Sequence, residues 1–395
     1  MTDPARTSRW VRRFVFVGAV FLLLSQATLV AGGTERTAVI LGLCGFVFHT
    51  VFGKAYSLIP AYFNRALAAN RLLPVHLTAS TTGTLLLAAG IEQSNSTFET
   101  AGATLWGVGV GLFLITLFWT LRGNLTGSET ATGSQNAHRE RVDRLSNLFI
   151  PVALAYLAVG SYELLATTTA LPSMFDGYAP RATHLLAAGS AALLLFAVGF
   201  RLLPRFLVAT PPRPLVWVVL PTGAVGPALL AWGLPSGTRF QVGALMQATA
   251  IVGFALGFWV LYLRSNRRRV GFYGVLGATV AGILAVALGV VFAFGTPTTE
   301  LVAAHRRLTV LGFLGLAIVG VSYQFYPPAI GQFPGAGDRT AVVAMGALFA
   351  GLVLEIAGLV AGYSIGVTLG HGITLGGALT HLYLLAGLFH QRRRN

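Results

Sequence analysis

Eight histidines stand in this 395-residue sequence, and six of them interrupt long apolar stretches. The six are His49, His76, His184, His305, His371 and His381. An ionisable side chain inside a bilayer is costly, so it usually lines a cavity or binds something. Neutral imidazole ligates metals such as iron and also relays protons, although a single one can equally bond the backbone of a neighbouring helix. Six together favour a cofactor site or a polar path within a membrane.

Small residues accompany three of these histidines. His49, Gly53 and Tyr56 follow one another at intervals of four and three residues, which puts them on one helical face. Glycines share the predicted face of His305, and alanines follow His184. Such small side chains leave room for a large flat ligand, but they also allow helices to pack closely without one.

Charged residues add to the polar groups inside the apolar runs. Arg306 and Arg307 directly follow one of the histidines, and Glu163 and Glu355 fall within other runs. These arginines and glutamates could pair with one another, or the arginines could bind the carboxylates of a cofactor through bidentate hydrogen bonds. Lys54 is a further charge in an apolar run and suits a water-filled path.

The elements that carry these residues are predicted to be membrane-spanning helices. Apolar residues make up 55% of the sequence and charged residues 10%, against about 25% charged residues in an ordinary soluble domain. A membrane-spanning helix needs about 20 predominantly apolar residues. Twelve such runs predict an all-α, polytopic integral membrane protein with no sizeable soluble domain. They lie near 11–32, 36–62, 72–93, 99–121, 146–170, 181–208, 214–233, 240–263, 270–294, 300–327, 340–363 and 366–389.

Arginines are concentrated in alternate short loops, and this pattern predicts the orientation of the helices. The net charge of +15 could suggest a nucleic-acid partner, but the loop placement follows the positive-inside rule instead. We expect both termini in the cytoplasm, the plasma membrane of a prokaryote as the location, and the lipid bilayer rather than nucleic acid as the partner. The polar stretch 122–144 is predicted to be a flexible cytoplasmic linker within a single membrane domain.

A weak internal repeat divides the twelve predicted helices into three groups of four, at about 1–133, 134–264 and 265–395. The second helix of each group ends in an aromatic residue four positions before a proline, in YSLIP, FRLLP and YQFYP. A glycine follows 29 to 31 residues after each proline, at Gly90, Gly233 and Gly358. Repeats of this kind are typical of membrane proteins with a central site, although prolines near helix ends are also common for other reasons.

The tenth predicted helix, AHRRLTVLGFLGLAIVGVSYQFYPPAIG, resembles the tenth helix of subunit I in the haem–copper oxidase superfamily. Two shorter segments have a similar sequence pattern, HTVFGKAYSLIPAYFNR and THLLAAGSAALLLFAVGFRLLPRF. NnrS-type haem membrane proteins are comparable relatives. The resemblance implies twelve helices in a pseudo-threefold arrangement and a haem, of b type, ligated by His49 and His305. His184 marks the position where the family has copper. If haem is bound, we expect Arg306 and Arg307 to anchor its propionates and His184, His371 or His381 to be available as a sixth ligand of the metal.

Departures from the family pattern argue against a copper centre. The family's H-x-H is here His305-Arg306-Arg307, the predicted seventh helix has no histidine, and Ala188 stands where a tyrosine is expected. We therefore expect a haem-binding protein that acts in electron transfer, nitric oxide or oxygen response, or haem-enzyme assembly, with a redox partner or oxidase or reductase subunits. Two alternatives stay open, a small-solute or proton transporter and a divergent terminal oxidase or nitric oxide reductase. Whether the protein is an enzyme is left open.

Overall fold

The computed structural model describes residues 4–394, and every regular element within them is helical. Twelve of the described helices are long and apolar enough to cross a membrane, which confirms the predicted number and makes this a multi-pass architecture. In chain order they are α1 (Ala5–Val30), α2 (Glu35–Tyr62), α3 (Asn70–Gln93), α4 (Ser96–Leu121), α5 (Ser134–Ala166), α6 (Ala179–Leu207), α7 (Arg213–Gly233), α8 (Thr238–Arg264), α9 (Gly271–Phe294), α10 (Thr299–Ile330), α11 (Asp338–Ala361) and α12 (Ser364–Arg392).

The polar stretch 122–144 is more ordered than its composition predicted. Its last part is helical, since a 3₁₀ turn starts at Ser134 and the α-helix of α5 begins at Glu140 rather than near 146. Before that, the Asn124 side chain donates to the carbonyls of Phe63 and Glu129 at 2.9 Å. Side-chain amides thus satisfy backbone groups that composition alone leaves exposed, and the flexible cytoplasmic linker stays a prediction.

The chain forms two compact units. One contains the residues up to Phe14 together with Val51–Arg267, and the other contains Val15–Thr50 together with the residues from Arg268 onward. In α1 the residues up to Phe14 belong to the first unit and the rest to the second. In α2 the order is reversed, and the first unit begins at Val51. The division into three pseudo-repeats stays a prediction.

Three helical hairpins each pack along much of their length. They are α3–α4, α7–α8 and α11–α12, each contained within one unit. The three glycines singled out in the sequence, Gly90, Gly233 and Gly358, lie in them at close approaches of the partner helix. A Cβ on any of them would come within 3.0 Å of a backbone nitrogen of the next helix, that of Glu99, Phe240 or Val367. Only glycine allows this close approach of two backbones.

Three other helices, α2, α6 and α10, are the most buried. In the most apolar stretch of α2 and of α6, 78% of residues are buried, and in α10 72%, against 39–56% in the rest of the twelve. Each of the three contains a π-helical segment, at Leu41–Val47, Leu185–Ala192 and Leu308–Gly315 respectively. Segments of this kind are rare and frequently occur at functional sites. Three of the five candidate ligand histidines, His49, His184 and His305, lie beside these segments.

Candidate functional site

His49 follows the π-helical segment of α2 and is fully buried. Its Nδ1 lies 2.8 Å from the carbonyl oxygen of Gly45 and 3.0 Å from that of Cys44, and the Phe21 ring packs 5.0 Å from the imidazole. A carbonyl can only accept a hydrogen bond, so Nδ1 carries the proton and the lone pair is on Nε2. This orientation is the usual one for a histidine that ligates a metal through Nε2.

His305 and His184 are held in the same tautomer. Nδ1 of His305 donates to the carbonyl of Ala285 on the neighbouring α9 at 2.9 Å, and Nδ1 of His184 donates to the carbonyl of Pro180 at 2.7 Å. Each residue lies immediately before or within three residues of the π-helical segment in its own helix. His49, His184 and His305 therefore share one chemical state, an imidazole fixed by a backbone carbonyl with its lone pair on Nε2.

Two buried histidines bond to tyrosines instead. Tyr56 Oη lies 2.8 Å from Nδ1 of His76, and Tyr323 Oη lies 3.0 Å from Nδ1 of His381. Both tyrosines are the aromatic residue of the proline-containing helix ends. The sequence contained this signal, but the pairing with a histidine on another helix was not predicted. The hydroxyl bond occupies Nδ1 of His381, one of the predicted metal-ligand candidates.

A buried polar cluster connects four helices of the second unit. Arg307 on α10 donates to Glu355 on α11 through two bonds, Nε to Oε1 at 2.7 Å and Nη2 to Oε2 at 2.8 Å. The same Nη2 donates to Oε1 of Gln26 on α1 at 2.9 Å, and Nε2 of His371 on α12 lies 3.3 Å from Glu355 Oε1. The sequence allowed Arg307 either to pair with a glutamate or to bind a cofactor carboxylate, and in the structure it pairs with Glu355.

The remaining charges singled out in the sequence are distributed elsewhere. Arg306 makes one contact with Glu35 at 3.2 Å, and both side chains are nearly half exposed. Glu163 accepts hydrogen bonds from the Ser173 hydroxyl and the Met174 backbone nitrogen, both at 2.7 Å, so it orders the loop after α5. His138 and His390, the two histidines outside the apolar runs, are exposed.

A cleft opens beside the buried cluster, between α1, α2 and α10 of the second unit. Its enclosed volume is small, about 20 Å³, and its walls are mostly apolar, with Leu22, Phe46 and Val310 among them. Gln26 and Arg307 line it from the buried cluster, while Glu35 and Arg306 line it with their exposed pair. The π-helical segments of α2 and α10 both contribute to the walls.

A second buried ionic cluster lies in the first unit and was not anticipated. Asp143 binds Arg205 at 2.5 and 3.1 Å, and its Oδ1 lies 3.5 Å from Nε of Arg201. Arg201 also packs 4.1 Å above the Tyr62 ring and donates to the Tyr62 carbonyl at 3.0 Å. Asp143 falls within the polar stretch of the sequence, and Arg201 was read only as part of a repeated helix end. Neither position indicated burial.

The described residues contain no group of three or more His, Cys, Asp or Glu side chains that could hold a metal ion together. The structure brings Arg307, Glu355 and His371 together, whereas His49, His184 and His305 are each held by backbone carbonyls. No protein-family model matches the sequence, and a search of curated proteins finds no match.

Proposed function

We propose that this chain is a haem-binding integral membrane protein similar in architecture to subunit I of the haem–copper oxidase superfamily. The helices form three repeats of four, and both termini lie in the cytoplasm, where the arginine-rich loops are concentrated. Support for the repeats comes from the three hairpin glycines and from the π-helical segments, which occur in the second helix of each repeat. The role is electron transfer, response to nitric oxide or oxygen, or assembly of haem enzymes.

The observation that carries this proposal is the fixed tautomer of His49 and His305. A histidine that ligates iron through Nε2 needs a proton acceptor at Nδ1 to hold its ring orientation, and both residues have one in a backbone carbonyl. These two residues therefore fit the requirements for axial ligands. Haem bound there would supply a reversible one-electron couple or a site for a diatomic gas.

Arg306 suits a haem propionate better than Arg307 does. Its side chain is 44% exposed and has a single contact with Glu35, so it can turn toward a second carboxylate. Arg307 already donates to both oxygens of Glu355. His184, His371 and His381 are further candidate ligands, and among them only His184 shares the backbone-bonded tautomer.

The visible absorption spectrum of the full-length chain, purified in detergent from haem-replete cells, tests the proposal. We expect a Soret band that shifts on reduction, and we expect it to be lost in His49→Ala and His305→Ala. His138→Ala is the matched control, because that histidine is exposed and should leave the band unchanged. A colourless protein, or a band that survives both ligand substitutions, contradicts the proposal.

A second candidate function, proton or small-solute transport, is favoured by the buried cluster of Gln26, Arg307, Glu355 and His371. Polar side chains from four helices meet there, as in intramembrane transport paths. Proteoliposomes loaded with a pH-sensitive dye would report proton flux. Flux that disappears in Glu355→Gln but persists in Glu35→Gln would favour this function over haem binding.

A further inference from the structure

We propose that the surface around the first turn of α7 is a docking site for an anionic phospholipid, with the phosphate bound by Arg139 and Arg213 and an acyl chain lying along α7. The site lies wholly within the first unit. It does not depend on haem binding, because it rests on surface charge and on the exposed side chains of one helix. Three features support it, namely two arginines without acidic partners, carboxylates that are bound by other residues, and an apolar strip that continues from one of the arginines.

Arg139 and Arg213 belong to different helices and are held close to each other. Nη2 of Arg213 donates to the carbonyl of His138, the residue directly before Arg139, at 3.2 Å. Nη2 of Arg139 in turn lies 3.5 Å from the carbonyl of Ala209, at the end of α6. The Nη1 groups of the two arginines bind no protein group in the described part of the chain. Because Arg213 is exposed and Arg139 partly so, these donors can reach a ligand at the surface.

Other arginines bind the three carboxylates of the neighbouring segment 122–144. The positive charges of Arg139 and Arg213 are therefore not compensated by a carboxylate of the residues that the structure describes. A phosphate accepts hydrogen bonds from two guanidinium groups at once and supplies the missing negative charge. The pairs that use the carboxylates are Arg65 with Glu129 at 2.6 Å, Arg144 with Glu140 at 2.8 Å, and Arg205 with Asp143 at 2.5 Å.

An exposed apolar strip on α7 distinguishes a lipid from a soluble anion. Trp217 comes four residues after Arg213 and so shares its face of the helix, and its side chain is 61% exposed. Val218 and Val225 continue the exposed surface farther along α7. Tryptophan is enriched at the level of lipid headgroups, where its ring meets both polar and apolar groups. A phospholipid uses the arginines and the strip together, and in the proposed orientation this end of α7 meets the cytoplasmic leaflet, which has a negative surface potential.

A photoreactive phosphatidylglycerol with a diazirine in its acyl chain locates the site. The full chain in detergent is irradiated with this probe, and mass spectrometry of its peptides maps the label. We expect label on the part of α7 that contains Trp217 and Val218. Unlabelled phosphatidylglycerol should compete about 25-fold more effectively than phosphatidylcholine, at about fivefold for each of the two arginines. Equal competition by the two lipids, or the absence of label from this part of α7, overturns the proposal.

Variants identify the groups that bind the phosphate. Arg139→Gln and Arg213→Gln should each lower the labelling of α7 about fivefold. Arg213→Lys keeps the charge and should retain most of the labelling. Arg239→Gln is the matched control, because Arg239 is exposed and packs 4.4 Å over the exposed Trp232 at the opposite end of the α7–α8 hairpin. Labelling that survives both glutamine substitutions at the site, or that falls equally in Arg213→Lys or Arg239→Gln, contradicts the proposal.

Glycerol 3-phosphate tests whether a soluble anion occupies the site instead. It has the phosphate but no acyl chain, so we expect it to compete only at concentrations at least about a hundredfold higher than phosphatidylglycerol, a factor that a few buried CH₂ groups supply. Trp217→Ala should weaken the competition by phosphatidylglycerol and leave that by glycerol 3-phosphate unchanged. Competition by the two compounds at equal concentrations would show that the apolar strip contributes nothing, and would exclude a lipid as the occupant.

Discussion

Arg307 and Glu355 face each other inside the second unit through two parallel hydrogen bonds of 2.7 and 2.8 Å, and both residues are buried. This planar arrangement matches the two nitrogens of a guanidinium to the two oxygens of a carboxylate. The pair joins α10 to α11, and through Gln26 and His371 it extends to α1 and α12. If either residue is removed, the charge of the other stays buried without a counter-ion.

Removal of one partner should therefore be costly. We predict that Glu355→Ala lowers the free energy of unfolding by about 3–5 kcal/mol, because it leaves the Arg307 guanidinium buried without its counter-ion. Glu35→Ala breaks the neighbouring, half-exposed pair with Arg306 and should cost no more than about 1 kcal/mol. Unfolding in detergent measures both variants. Equal losses of unfolding free energy in the two variants would mean that burial does not increase the contribution of the ion pair.

The buried bond between Tyr56 and His76 should contribute to stability. Both residues are buried, and the phenylalanine rings of Phe14, Phe52 and Phe113 surround the imidazole. Tyr56→Phe removes the hydroxyl from His76 Nδ1, and we predict a loss of about 1–3 kcal/mol.

Tyr273→Phe, at a half-exposed position, is the control for this substitution and should change stability by less than about 0.5 kcal/mol. Tyr323→Phe should behave like Tyr56→Phe, because Tyr323 makes the corresponding bond to His381. Thermal denaturation that does not separate the two buried tyrosines from the exposed one would contradict the prediction.

Asp176, in the loop between α5 and α6, should make stability dependent on pH. Its two bonds with Arg181, both of 2.7 Å, lower the pKa of the carboxyl from 3.8 to about 2. Because the folded-state pKa is depressed, the stabilisation is complete above the ordinary pKa and is lost as pH falls through the folded one. Asp176→Asn should therefore lower the melting temperature near neutral pH, and the difference should shrink as pH falls below 3.8 and vanish below about 2. A difference that is constant across this range would show that charge is not its source.

The hairpin of α7 and α8 depends on the absence of a side chain at Gly243. A Cβ there would lie 2.7 Å from the Leu230 nitrogen and 3.0 Å from the Leu229 carbonyl carbon, and neither backbone atom can move independently. We predict that Gly243→Ala destabilises the protein by about 1–3 kcal/mol. Gly111→Ala, where a Cβ meets nothing within 4 Å, should be neutral or stabilising by up to about 1 kcal/mol. A Gly243→Ala variant as stable as Gly111→Ala would show that the helices separate without cost.

The sequence alone determined the number of helices and most of their ends. In lipid every backbone polar group must be bonded within its own helix, so run length and apolar composition are sufficient to identify each span. The same local logic identified the hairpin glycines, because their regular spacing is visible without knowledge of any partner. It could not show that 122–144, a segment of polar composition, is bonded to distant residues, as Asn124 is to Phe63.

Only the tertiary structure decided which polar groups meet. Arg307 is separated in sequence from Glu355 by 48 residues and from Gln26 by 281, and the sequence offered a propionate and a glutamate as equal partners for it. The sequence also did not determine which ring nitrogen of His49 and His305 carries the proton. A helical pattern identifies the apolar run in which a side chain lies. It does not determine the rotation and depth of one helix against the next, and these two quantities select the partner of each buried charge.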